Sequence, residues 1–393
     1  MRSRTLAPLV AFLCAASALV ACGSSSGSPA TPGGSSASSS PETAVTAASA
    51  APSGTGVAAG APTKLESCDD FSCAVKSVTD DVMGQLEAFK GNAKFTLTIG
   101  KDATNADLAT VKKLPWLKRL RIDSDNVTDL SPVAALGSLV SLDTYGSERI
   151  ADLRPIGGMA SLRSLGIGMS DVKDLSPIGA LTELTDLNLY SVPATDLRPI
   201  ARLTKLTKID FYMFVADDWS VLKGFTNLEE LQLTFSNFSD VELLRGATKL
   251  KTLHMWRCEK VSSIDALAAM PELTTLQLSE TKVASLKPLE RLVKLDTLRL
   301  DGTAVTSLDP LKDLVALASL DLGFTDVSSL APLSKLKALR SVNLRGTKVK
   351  SLDPLKDAEL WDITVEKPLE AQAKALVAKR PGLRVDVVDT AAQ

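Results

Sequence analysis

The 393-residue chain is poor in residues that carry chemistry: it has one histidine (His254), three tyrosines and five cysteines, and aromatics make up 4% of it. So little histidine, with no cysteine cluster at ligand spacing, argues against a metal centre, and no cofactor is implied. No glycine-rich phosphate loop is present. The formal charge is −2, so net charge points neither to nucleic acid nor to an anionic membrane surface. The apolar run from Leu6 to Ala21 is too short to rest as a membrane-spanning helix. Charge is also missing locally: from residue 23 to residue 63, Glu42 is the only ionic side chain.

What the chain does have is leucine at a fixed spacing. A Leu-x-x-Leu-x-Leu run (Leu295, Leu298, Leu300) is followed by Thr303, Val305, Leu308, Pro310, Leu311 and Leu314. The pattern reopens 22 residues later at Leu317 and again at Leu339. Earlier copies open at Leu117, Leu139, Leu162, Leu184, Leu206, Leu228, Leu250 and Leu273, with steps of 22 or 23 residues; a step of 21 reaches a fading copy at Leu360. The run is too short for a helix and its last residues alternate, so it reads as a short strand. Pro310 fixes a bend after it, and Leu311 and Leu314 suit one turn of tight helix. A coil of this size cannot bury its leucines alone, so the coils must stack.

The pattern resembles the leucine-rich repeat family, and its Thr-x-Val-x-x-Leu-x-Pro-Leu half is similar to the 22-residue class of bacterial internalins. The resemblance implies an α/β solenoid: a curved, right-handed coil with a parallel concave β-sheet, short 3-10 or turn elements on the convex side and helical caps at both ends. It fixes the fold and leaves the function open.

The segments outside the repeats have distinct readings. Arg2, Arg4 and the apolar run form an export signal over residues 1–21, ending in Leu19-Val20-Ala21-Cys22, which resembles the bacterial lipobox. That resemblance implies cleavage before Cys22 and a lipid on it. The chain is then exported and anchored to the cell membrane or outer membrane, facing the periplasm or exterior. Gly23 and Ser24 do not resemble an inner-membrane retention signal. Residues 22–63 read as a lipidated Cys and a Ser/Gly/Ala/Pro tether spanning on the order of 35 Å as a flexible coil. Residues 64–94 read as an N-terminal helical cap, from Val75, Val78, Val82, Leu86 and Phe89 at helical spacing, with Cys68 and Cys73 paired as a disulfide. Phe95–Ile99 reads as the first strand of a repeat domain over residues 95–367. Residues 368–393 read as a C-terminal cap, with a helix to Arg380 and then Leu383–Val387, blunting the sheet edge.

With the leucines facing in, the residue just after each run faces out. All three tyrosines (Tyr145, Tyr190, Tyr212) fall in that column, joined by Trp256; the next position adds Met169, Met213, Phe235 and Phe324. Asp210, Gln232 and His254 belong to the neighbouring polar column. Tyr145 to Trp256 spans on the order of 24 Å, the width of a protein-binding patch. The expected function is non-enzymatic binding of a protein partner on the concave face, or of a glycan through the same aromatics. A Ser-His-Asp relay through His254 does not form, since Asp210 lies two strands away, roughly 9.6 Å. The lipid reading makes a direct prediction. Cys22→Ser releases the protein from the membrane fraction, and continued co-sedimentation with membranes contradicts the anchor.

Overall fold

Each coil turns the same leucines inward: Leu295, Leu298, Leu300, Leu308, Leu311 and Leu314 are all essentially inaccessible, and so are their counterparts along the chain. The computed structural model describes Leu65 and residues 67–390; the export segment, Cys22 and the tether lie outside the described residues. The strands form one sheet in sequence order, from β1 (Ser67–Cys68) to Arg384–Val388, and every pairing after the first is parallel. Register follows the repeat: Leu276 pairs with Leu298, and Leu298 with Leu320. Equivalent leucines therefore stack into one apolar column, each contributing roughly 1.5–3 kcal/mol by leaving water.

The sheet starts one coil earlier than the strand expected at Phe95–Ile99. Its first parallel strand is β2 (Ser72–Val75), which pairs with β3 (Thr96–Ile99) and places Cys73 and Val75 in the core. The 64–94 segment is therefore not purely helical. Val75 belongs to β2, and only Asp80–Leu86 (α1) is α-helical, started by the Thr79 side chain accepting from the Val82 amide at 3.3 Å. Cys68 and Cys73 face each other in the β1–β2 register, 4.2 Å apart at Cα, and are joined. A second helix, α2 (Asn105–Val111), fills the back of the next coil. Asp107 ties the two coils by accepting from the amides of Thr104 at 2.9 Å and Val78 at 2.7 Å. At the other end α3 (Glu370–Lys379) buries Ala373 and Leu376. The strand Arg384–Val388 then extends the sheet instead of closing it, so the edge moves outward onto a strand carrying Arg384 and Asp386.

The backs of the coils are 3-10 turns, and proline is not what sets them. Ser220–Gly224, Val241–Leu244 and Asp265–Ala269 form the turn without it. A capping side chain does the work in both kinds of coil. Asp129, Asp152, Asp174, Asp196, Asp218 and Asp240 each accept from the amide two residues on. Ser263, Ser285, Ser307, Ser329 and Ser351 take over after them. In the coils opening at Leu206 and Leu228, Phe211, Trp219 and Phe238 replace aliphatic residues and Phe214 the small residue of the hydroxyl column, forming a buried aromatic cluster with Trp219 edge-on to Phe211 and Phe238. The Trp219 indole N–H donates to Asn237 at 2.9 Å.

A buried hydroxyl column lines the turn after the strands: Thr281, Thr303 and Thr325 each donate to the carbonyl three residues back at 2.6 Å. Thr303→Val removes the shorter of the two hydrogen bonds that the Leu300 carbonyl accepts, leaving the one from the Thr303 amide at 3.1 Å, and lowers unfolding free energy by ~1 kcal/mol. Exposed Thr306→Val leaves it within ~0.5 kcal/mol. Urea titration distinguishes them, and equal effects contradict the hydroxyl column.

Candidate functional site

The outward tyrosines and Trp256 stand two residues past strands of three residues, and the turn that follows each strand aims them. In ten successive coils the second residue after the inward run has left-handed backbone. Gly146, Gly302 and Gly346 supply it freely. Met169 (φ 60°), Ser191 (50°), Met213 (56°), Phe235 (60°), Arg257 (57°), Glu280 (53°) and Phe324 (54°) adopt it despite their Cβ. Each such residue costs roughly 1–2 kcal/mol relative to glycine-like freedom. Two sets of hydrogen bonds offset the cost. The strained amide donates to the next coil: Met169 to Tyr190 O at 2.7 Å, Met213 to Thr234 O and Phe235 to Trp256 O at 2.9 Å. The polar column also holds the approach to the turn. Asp143, Asn188, Asp210 and Gln232 accept from the amides of Tyr145, Tyr190, Tyr212 and Thr234 at 2.9–3.1 Å. Asp210 and Gln232 are thus scaffold as well as surface.

On this scaffold the aromatic side chains form a continuous ladder. Tyr145 meets Tyr190 at 5.5 Å between centroids, and Tyr190 stacks on Tyr212 at 4.9 Å and 20°. Tyr212 meets Phe235 at 5.5 Å, and Phe235 meets Trp256 at 4.8 Å. Tyr145 and Tyr190 touch although a whole coil lies between them. The coil's outward residue is Gly168, where a Cβ would lie 2.9 Å from the Tyr145 ring and 3.0 Å from Tyr190 Cβ. The far end is clamped. The Trp256 indole N–H donates to Glu280 at 3.1 Å, Glu280 pairs with Arg257 at 2.7 Å, and the Arg257 guanidinium sits over the Phe235 ring at 5.3 Å. Tyr145, Met169, Tyr190, Tyr212, Met213, Phe235 and Trp256 are half-buried, and all lie along this one band.

His254 continues the polar column, its Nδ1 3.3 Å from the Gln232 amide nitrogen. Burial, then the nearby positive charge of Arg299, lowers its pKa below 6.5. Burial raises the pKa of Asp210. The Ser279 hydroxyl is buried and donates to Asp301. Cys258 is a buried thiol pushed up to about 11 by desolvation, donating to Leu233 O at 3.1 Å, which makes it structural rather than reactive. Among the described residues no group of three or more His, Cys, Asp or Glu is placed to hold a metal ion. No described helix is long and apolar enough to cross a membrane.

No protein-family model matches the chain, and no curated protein matches it in sequence. Solved structures do match. An internalin (inlF) from Listeria monocytogenes is 25% identical with a TM-score of 0.58, covering 64% of this chain and 75% of its own. The fold is an internalin-like leucine-rich repeat solenoid. Two more distant solenoids share that fold. The ectodomain of the Arabidopsis thaliana receptor kinase GASSHO1/SCHENGEN3, solved in complex with Casparian strip integrity factor 2, is 19% identical (TM-score 0.53, 69% of this chain and 35% of that one). TLR13, solved in complex with ssRNA13, is 17% identical (TM-score 0.53, 70% and 47%). The receptor-kinase ectodomain and TLR13 are solved with ligands of different kinds, and their likeness to this chain is one of fold alone.

Sequence reading placed the three tyrosines and Trp256 in one outward column and Phe235 in the next, but missed the left-handed turns, the role of Gly168 and the Arg257–Glu280 clamp. A signal for the turns was present: Gly146, Gly302 and Gly346 share one repeat position.

Proposed function

We propose that this chain is an exported lipoprotein, held at the bacterial envelope through a lipid on Cys22, and that it binds a protein partner with the concave, outward face of its sheet. The binding residues are Tyr145, Met169, Tyr190, Tyr212, Met213, Phe235 and Trp256, flanked by Asp210, Gln232 and His254. The observation that carries this reading is the ladder itself. Large, rigid, half-exposed rings pre-ordered in a row lose little entropy on binding, and Tyr, Trp and Met are the residues enriched at interface centres.

The same geometry favours protein over glycan. Sugars stack on exposed ring faces, but Tyr190 and Tyr212 lie face to face at 20°. Their faces are turned to each other, which leaves less ring face for a sugar to stack on.

The test is capture from envelope extract by the purified full chain, alongside a Tyr190→Ala, Tyr212→Ala, Trp256→Ala variant. A protein held by the first and lost by the second is the expected result, with affinity falling by ~2 kcal/mol or more for each true hot spot. Equal capture by both moves binding off the aromatic band. Retention of cell-wall glycan instead of protein favours the carbohydrate reading.

A further inference from the structure

The sheet ends on a strand with one side unpaired. Arg384–Val388 pairs in parallel with Asp362–Glu366, and among the described residues no strand lies beyond it. The Arg384 amide donates to Trp361 O at 2.8 Å, so Arg384 and every second residue after it turn their backbone groups toward the neighbouring strand. The N–H and C=O of Val385 and Val387 therefore point out from the edge, where water or another strand must pair them. The surface beneath is apolar. Val385 and Val387 pair with the buried Ile363 and Val365 and so share the inward face, yet Val387 stays 37% exposed. Helix α3 leaves the same end open. Its Gln372 turns to the preceding coil, donating to Lys350 O at 3.0 Å and accepting from the Leu352 amide at 2.8 Å, while the partly buried Val377 stands on the far flank of the helix.

The charges on this edge decide what fits it. Arg384 and Asp386 share the outward face, and both are exposed. Arg384 meets Asp362 through Nε at 3.3 Å, on a side chain 82% exposed. Asp386 has no ion pair among the described residues. Two opposite charges at this spacing are self-complementary. When two such strands meet antiparallel about a twofold axis at Val385, Arg384 of each stands opposite Asp386 of the other. The two Val385 residues then form a hydrogen-bonded pair from the groups that the edge leaves free. An axis at Val387, the other position with outward backbone groups, sets Asp386 opposite Val388 and pairs neither charge. Charge on an edge strand ordinarily blocks pairing; opposite signs two residues apart select one register instead.

We propose that the last strand joins two copies of this chain, Arg384–Val388 against the same strand of a second copy, antiparallel about Val385. The two sheets become continuous, and the pair covers Val385 and Val387. It also carries two outward aromatic faces, so that a partner with repeated sites is held at two points. The pairing itself does not depend on what those faces bind.

Sedimentation velocity over a concentration series tests this, on the full chain carrying Cys22→Ser so that no lipid drives association. The expected result is a dimer that forms as concentration rises. Arg384→Asp and Asp386→Arg each set like charges opposite one another, and each weakens self-association by roughly ten-fold or more. The double variant, with the two charges exchanged, restores the dimer. Mixing the two single variants also restores it, because every cross-strand pair is then Asp against Arg. Thermal melts check that each variant is folded. Should a single variant melt early, Val385→Pro takes its place: it removes the outward N–H at the axis, which an edge strand tolerates, and leaves a monomer. A chain that stays monomeric across the series overturns the proposal. So does a dimer unchanged by these variants, or one that neither the exchanged charges nor the mixture restores.

Discussion

A coil of about 22 residues cannot close a hydrophobic core by itself, and every other feature of this protein depends on that. The leucines of one coil are covered only by those of its neighbours, so coils stack in register and equivalent residues line up in straight columns. A column repeats any property the sequence puts in it. Leucine gives a continuous core, threonine gives a buried hydroxyl row, and Asp or Ser gives a row of capped turns. The same rule turns scattered aromatics into a surface: residues 22 positions apart in sequence become side-by-side neighbours. Three tyrosines that look isolated in the chain form one row in space.

The ends obey the constraint differently. An exposed terminal coil would leave its leucines wet, and each end carries an added element. At the start, the Cys68–Cys73 hairpin and α1 precede β3; at the finish, α3 and its strand follow the last repeat. The middle of the stack shows what the rule tolerates. Phe211, Phe214, Trp219 and Phe238 replace smaller inward residues within neighbouring coils, so their bulk is matched by each other, edge against face. The half-buried ladder adjoins this aromatic interior, Phe211 turned in and Tyr212 turned out at successive positions just past one strand.

Much of this was legible in the sequence because repetition amplifies weak signals. Eleven copies of the same spacing define the strands, the inward leucines and the outward column without any structure. The readable features faded where the repetition did. Ser72–Val75 carries no leucine, so the first parallel strand read as part of a helix. The helix predicted from Val75 to Phe89 was cut short because Val75 is held in the sheet and Thr79 starts a new element. Proline marked the convex turns, yet the capping aspartates and serines form them where proline is absent. The left-handed turns escaped notice because Met, Phe and Arg conceal a conformation that glycine would have announced. The contact between Tyr145 and Tyr190 was invisible for a related reason: it depends on a side chain that Gly168 lacks.

The tyrosine count provides a direct measurement. Since Tyr145, Tyr190 and Tyr212 are the only tyrosines, 3-fluorotyrosine incorporation places a fluorine label on the ladder and nowhere else. Fluorine NMR of the full chain, free and then with a captured protein partner, should show signals of the stacked Tyr190 and Tyr212 rings that shift or broaden as the partner saturates. Saturating binding that leaves all three signals unmoved would contradict the outward aromatic face as the binding surface.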